Sequence, residues 1–79
     1  MDKQQRRAKL GDLLASMRLA AGLNQADVAA RLGKPQSFVS KYESAERRVD
    51  LSDLEEIATA IGVSLEDVVA QYREAVDAG

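Results

Sequence analysis

Seventy-nine residues, 46% hydrophobic and 30% charged, suffice for one small core and leave no room for a second domain. With no cysteine and no histidine, disulfides, thiolate chemistry, zinc ligation and imidazole catalysis are excluded. No apolar run approaches the roughly 20 residues of a membrane span, and "MDKQQRRAK" lacks the hydrophobic segment of a signal peptide, so a cytoplasmic protein is expected.

In chain order, Leu10, Leu13, Leu14, Met17 and Ala21 recur at the spacing of a half-buried helix, predicted over about 4–21, and Gly22 supplies its stop. Asn24 with Asp27 forms a capping pair ahead of a short second helix, about 25–32, which Gly33 ends. Pro35 suits the first position of a third helix, about 35–44, because its missing N–H would have had no partner there. Asp50 with Asp53 opens a fourth helix, about 51–61, with the stripe Leu51, Leu54, Ile57, Ala58 and Ile61 and a stop at Gly62. Ser64 with Asp67 opens the fifth, about 65–77, with the stripe Leu65, Val68, Val69, Tyr72 and Val76. No β-like alternation of useful length is present, so the expected fold is an all-α bundle of five helices in a single domain spanning 1–79.

The net charge of −2 conceals a polarity along the chain: residues 1–50 carry ten Lys/Arg against six Asp/Glu, whereas residues 51–79 carry Arg73 alone against seven acids. A basic face turned away from an acidic one suits a polyanionic partner, since charge distribution outweighs the sum.

The third helix is the informative one. At 100° per residue, Gln36, Ser37, Ser40, Lys41 and Ser44 fall within an arc of about 140°, while Phe38, Val39, Tyr42 and Ala45 occupy the other side. The polar face is made of hydrogen-bonding groups without negative charge. A glutamine amide can pair with adenine, a lysine with guanine, and serine with either, so the face has the chemistry of base readout. Two short helices joined by a glycine-containing turn form a helix-turn-helix, whose second helix enters the major groove. Ala29 and Gly33 are small where the two helices approach and turn, and Val39 and Tyr42 give the second helix its buried side.

The stretch "GLNQADVAARLGKPQSFVSKYESAERRVDLSDLEEIATAIGVS" resembles the Cro/repressor (Xre) family of helix-turn-helix transcription regulators, with a lambda-repressor-like fold. The likeness extends over about residues 8–70. It implies that Gln36, Ser37, Ser40 and Lys41 face the bases, that Gln25 contacts a phosphate and braces Gln36, and that Ser44, Arg47 and Arg48 touch the DNA backbone. Lys34, at the open start of the third helix, joins the backbone contacts on physical grounds, because free N–H groups and a positive dipole end suit phosphate. The basic residues Lys3, Arg6, Arg7 and Lys9 are left unassigned, since half of them must face solvent and cations sit poorly at a helix N-terminus.

Arg18 lies on the apolar stripe of the first helix, where an unpaired charge is expensive, and Glu43 is the carboxylate expected to meet it. The resemblance implies the same pair. Ala45 stands where the family usually has glycine; a left-handed alanine costs about 1–2 kcal/mol, so the loop is expected to end the third helix differently. Phe38, at the margin of the core, is expected to pack on the second helix.

One such unit reads few base pairs, so a homodimer on a palindromic double-stranded operator is expected, with half-sites about 34 Å apart. Leu65, Val69, Tyr72 and Val76 are its expected interface. The expected function is a nucleoid-associated repressor without enzymatic activity, cofactor, small-molecule ligand or metal. A protein-interaction module, such as an antitoxin binding a toxin, is the rival reading.

Overall fold

Three helices open on the same reciprocal device, and the device sets where the chain becomes helical. In the computed structural model, which describes residues 1–78, Asp2, Asn24 and Asp50 each accept a hydrogen bond from the backbone N–H three residues on, at 2.8, 2.7 and 2.8 Å. The side chains of Gln5, Asp27 and Asp53 return the bond to the cap residue's own N–H. Two orphan donors are thereby satisfied at each start. The helices are α1 Lys3–Ala20, α2 Gln25–Leu32, α3 Gln36–Glu43, α4 Leu51–Ile61 and α5 Leu65–Ala78, and no strand occurs among the described residues. The fold is the expected all-α, lambda-repressor-like arrangement.

Two helix starts differ from expectation, and three helix ends shift by one residue. The helix α1 begins at Lys3 because Asp2 caps it, a start that the apolar stripe beginning at Leu10 does not reveal. Pro35 is the cap of α3 rather than its first residue: its ψ of 156° is extended, and its carbonyl accepts from the Phe38 N–H at 3.0 Å. Having no polar side chain, Pro35 leaves the first N–H groups of α3 without a side-chain cap.

The core takes one large side chain from every helix. Leu14, Val28, Val39, Ile57 and Val68 are the largest fully buried residues, one each from α1 to α5, with Met17, Ala29, Tyr42, Ala58, Ala60 and Ile61 around them. Leu51 departs from its predicted stripe and is 66% exposed. It is the first residue of α4, so the helical period gives it the right face while its end position carries it past the core.

Gly11 sits in the middle of α1, where glycine ordinarily weakens a helix by roughly 1 kcal/mol against alanine. Its reason is close approach. A Cβ here would collide with the Glu43 carbonyl oxygen and would lie 2.9 Å from that of Tyr42, so α1 rests directly on the last turn of α3. Tyr42 lies beneath, 2% exposed, its phenol oxygen buried without a hydrogen-bond partner among the described residues. Burial, reinforced by the nearby Glu43 carboxylate, pushes that phenol above its ordinary range.

Gly11→Ala is expected to destabilise the protein by about 2 kcal/mol, the scale of overpacking against rigid backbone, although alanine is the better helix former; thermal denaturation gives the sign directly. Tyr42→Phe is expected to raise stability by roughly 1 kcal/mol by removing an unsatisfied hydroxyl. With the folded-state pKa above its unfolded value of 10.0, the unfolded chain loses this proton first and stability falls as pH rises beyond about 10. The variant should lack that alkaline loss in melts across pH 8–11.

Candidate nucleic-acid interface

The turn between α2 and α3 is made by Gly33 in a left-handed conformation (φ 66°), with the Lys34 N–H bonded back to the Ala29 carbonyl at 3.0 Å. Pro35 then starts α3 in a fixed direction. Val39 and Tyr42 are buried, and Gln36, Ser37 and Lys41 stand exposed on the opposite side, with Ser40 half-buried behind them. Each exposed group projects from a helix whose buried face leaves it no freedom to roll.

A polar chain ties this face to the core. Arg18 donates from Nε to Glu43 Oε2 at 2.7 Å and from Nη2 to Oε1 at 3.0 Å, and its Nη1 donates to the Leu23 carbonyl at 2.9 Å. The pair is nearly enclosed, with the two side chains 10% and 7% exposed. The hydrogen bond to Glu43 raises the guanidinium above its already high range against the opposing effect of burial, so it stays charged. Gln25 Nε2 also donates to Glu43 Oε1 at 3.0 Å, and its Oε1 takes a bond of 3.4 Å from Gln36 Nε2. The expected ion pair is thus present, and Gln25 links it outward to the first residue of α3.

Other expected contact residues lie less simply. Ser44 is exposed, but its one hydroxyl proton lies between the Lys41 carbonyl at 3.2 Å and Glu46 Oε2 at 3.0 Å, which puts a carboxylate where a phosphate contact was expected. Ser40 likewise turns its hydroxyl back to the Ser37 carbonyl at 3.3 Å. Ala45 is left-handed after all, at φ 67°, which corrects the expectation that the loop would avoid this conformation. The strain is held by the complete cap around it. The Lys41 carbonyl accepts from the Glu46 N–H at 2.8 Å and from the Arg47 N–H at 3.1 Å, and the Ala45 methyl is buried at 6% exposure.

Arg47 and Arg48 diverge. The Arg47 guanidinium lies 4.7 Å from the centroid of the Phe38 ring, and Lys34 Nζ lies 5.7 Å from it, both within cation–π range. Phe38 meets the core through an edge-on contact with Tyr42, centroids 5.7 Å apart, and its ring holds two cations beside α3. This role was missed in the sequence, although Lys34 and Phe38, four residues apart across a helix start, carry the signal. Arg48 points instead toward α1, into a groove shared with Arg6 and Arg7. In α5, Val68 fills the core, Leu65, Tyr72 and Val76 are half-buried, and Val69 is 40% exposed.

A sequence profile described as helix-turn-helix matches residues 14–68, from the core leucine of α1 to the core valine of α5. The chain belongs to the Xre-type helix-turn-helix family. The HTH-type transcriptional regulator y4dJ of Sinorhizobium fredii is 36% identical over 68 residues, 86% of this chain and 88% of that protein. Among solved structures, an XRE-family like protein from Pseudomonas syringae pv. tomato is 43% identical, covers 89% of this chain and 85% of its own, and superposes with a TM-score of 0.81. The restriction-modification controller protein C.AhdI of Aeromonas hydrophila is 31% identical over 77% of this chain and 92% of its own, with a TM-score of 0.72. As an Xre-type regulator the protein is a DNA-binding transcriptional regulator and not an enzyme. No helix among the described residues is long and apolar enough to cross a membrane.

In this Xre-type chain, Glu43→Gln is expected to cost about 3 kcal/mol in urea titration, because it leaves Arg18 charged and enclosed without a counter-charge. DNA affinity should fall at temperatures where the variant is still folded, since Gln25 and the end of α3 lose their shared anchor. Unchanged stability and affinity would show the pair to be dispensable.

Proposed function

We propose that the protein is a dimeric repressor that reads a palindromic operator in the major groove through α3. The observation that carries this reading is the row Gln36, Ser37 and Lys41, exposed and free of negative charge on a helix clamped by Val39, Tyr42 and the Arg18–Glu43 pair. Those three groups address base edges, with Ser40 contributing once its hydroxyl turns outward. Gln25, Lys34, Arg47 and Arg48 neutralise or bond to phosphates, positioning α3 without reading sequence. Ser44 contributes least, because Glu46 already holds its proton.

Two copies are required because one α3 spans too few base pairs for a unique site, and a two-fold pair matches a palindrome. The surface proposed for pairing is the outer side of α5, where Val69 is exposed and Leu65, Tyr72 and Val76 are incompletely covered. Repression then follows from occupancy of a promoter. The solved relative C.AhdI is itself a restriction-modification controller, which supports a regulatory role built on this fold.

The test begins by selecting duplexes from a random pool and measuring binding by anisotropy. A palindrome should be recovered, with two protein copies per duplex in sedimentation. Gln36→Ala and Lys41→Ala should each cost about 1–3 kcal/mol and relax preference at one position per half-site. Arg47→Ala should weaken all sequences alike and lower the salt slope by about 1. Equal losses on every sequence for all three variants would overturn direct readout. Binding that is indifferent to salt would favour a protein-interaction role, and one copy per duplex would remove the dimer.

A further inference from the structure

The residues left unassigned at the start of the chain meet a residue assigned to DNA. Lys3, Arg6 and Arg7 of α1 line one open groove with Arg48 of the α3–α4 loop and Tyr72 of α5. Four cations therefore face a common space, and no carboxylate lines it. Among the described residues the one ion pair is Arg18–Glu43, so none of the four is neutralised; the side-chain bond made there runs from Arg7 Nη1 to Gln4 Oε1 at 3.1 Å. Acids are not scarce, since the chain has 13 of them. None of them lines this groove, and cations that share one space repel one another unless an anion lies between them.

The groove also has a defined position. Gly11, one turn beyond Arg7, rests on the carbonyl oxygens that close α3, and Arg47 of the same loop lies over Phe38 of α3. The groove thus lies near the last turn of α3. Their arrangement across two elements, Arg48 with Lys3, Arg6 and Arg7, suits a run of phosphates better than one small anion.

We propose that this groove is a second DNA-backbone site, holding phosphates of the operator duplex that α3 itself does not reach. The inference rests on the operator-binding reading above and assigns Arg6 and Arg7 to it as new contact residues.

The test compares the wild-type protein with the double variant Arg6→Gln/Arg7→Gln on the selected palindrome. Anisotropy is followed between 50 and 200 mM salt, and circular dichroism confirms equal folding. The double variant should lose about 2 from the slope of log affinity against log salt and about tenfold or more in affinity, with unaltered preference for the palindrome over other sequences. An unchanged slope and affinity, in a protein that still prefers the palindrome, would overturn the groove assignment while leaving operator reading intact. A wild-type protein that binds no duplex in a salt-dependent way would instead overturn the operator reading and this inference with it. A change in sedimenting mass of the double variant without DNA would assign the groove to contact between copies and overturn the DNA assignment.

Discussion

Arg18 uses its Nε and both terminal nitrogens on fixed partners, and the geometry of the reading helix follows from that arrangement. Two of its bonds fork onto Glu43 at the end of α3, and the third holds the Leu23 carbonyl in the α1–α2 turn. Glu43 in turn accepts from Gln25 at the start of α2. One enclosed pair of charges therefore fixes α1, the turn, α2 and α3 against each other. A buried ion pair is weak evidence of net stability, because its desolvation offsets much of the attraction. Its value here is geometric: a planar guanidinium and a carboxylate meet in one orientation, whereas the small apolar side chains around them tolerate sliding.

The close contact at Gly11 supports the same geometry from the backbone. With no side chain between α1 and the last carbonyls of α3, the two helices cannot separate to admit water. The ion pair and the glycine contact act on the same end of α3, and the opposite end is set by Gly33 and Pro35. Held at both ends and buried along Val39 and Tyr42, α3 can present polar groups outward without support from its own solvent face.

Most element ends were legible because their signals are local. Asn24 with Asp27 and Asp50 with Asp53 are three residues apart, and the helix stops at Gly22, Gly33 and Gly62 need no distant partner. Arg18 and Glu43 were paired across 25 residues by elimination of a costly lone charge, with the family resemblance pointing the same way. What stayed hidden depended on tertiary neighbours. Gly11 reads as a weak helix position until the carbonyls it touches are known. Phe38 reads as a core margin until Arg47 folds over it, and Ser44 as a free hydroxyl until Glu46 stands within hydrogen-bond reach of it. Ala45 was misjudged because backbone strain was weighed without the burial of its methyl and the bonds converging on the Lys41 carbonyl. Arg47 and Arg48 looked like one feature, yet Arg47 lies over the Phe38 ring while Arg48 lines a groove with Arg6 and Arg7.

The reading helix is only eight residues long, below the length at which a helix persists in water by itself. It has no existence apart from the folded bundle, so recognition and folding share one equilibrium. Any ligand that engages the native surface alone withdraws molecules from the unfolded pool by mass action. A protein seated on its target is thereby sheltered from the proteases that patrol for open chains, and surplus copies in solution are the first to be cleared.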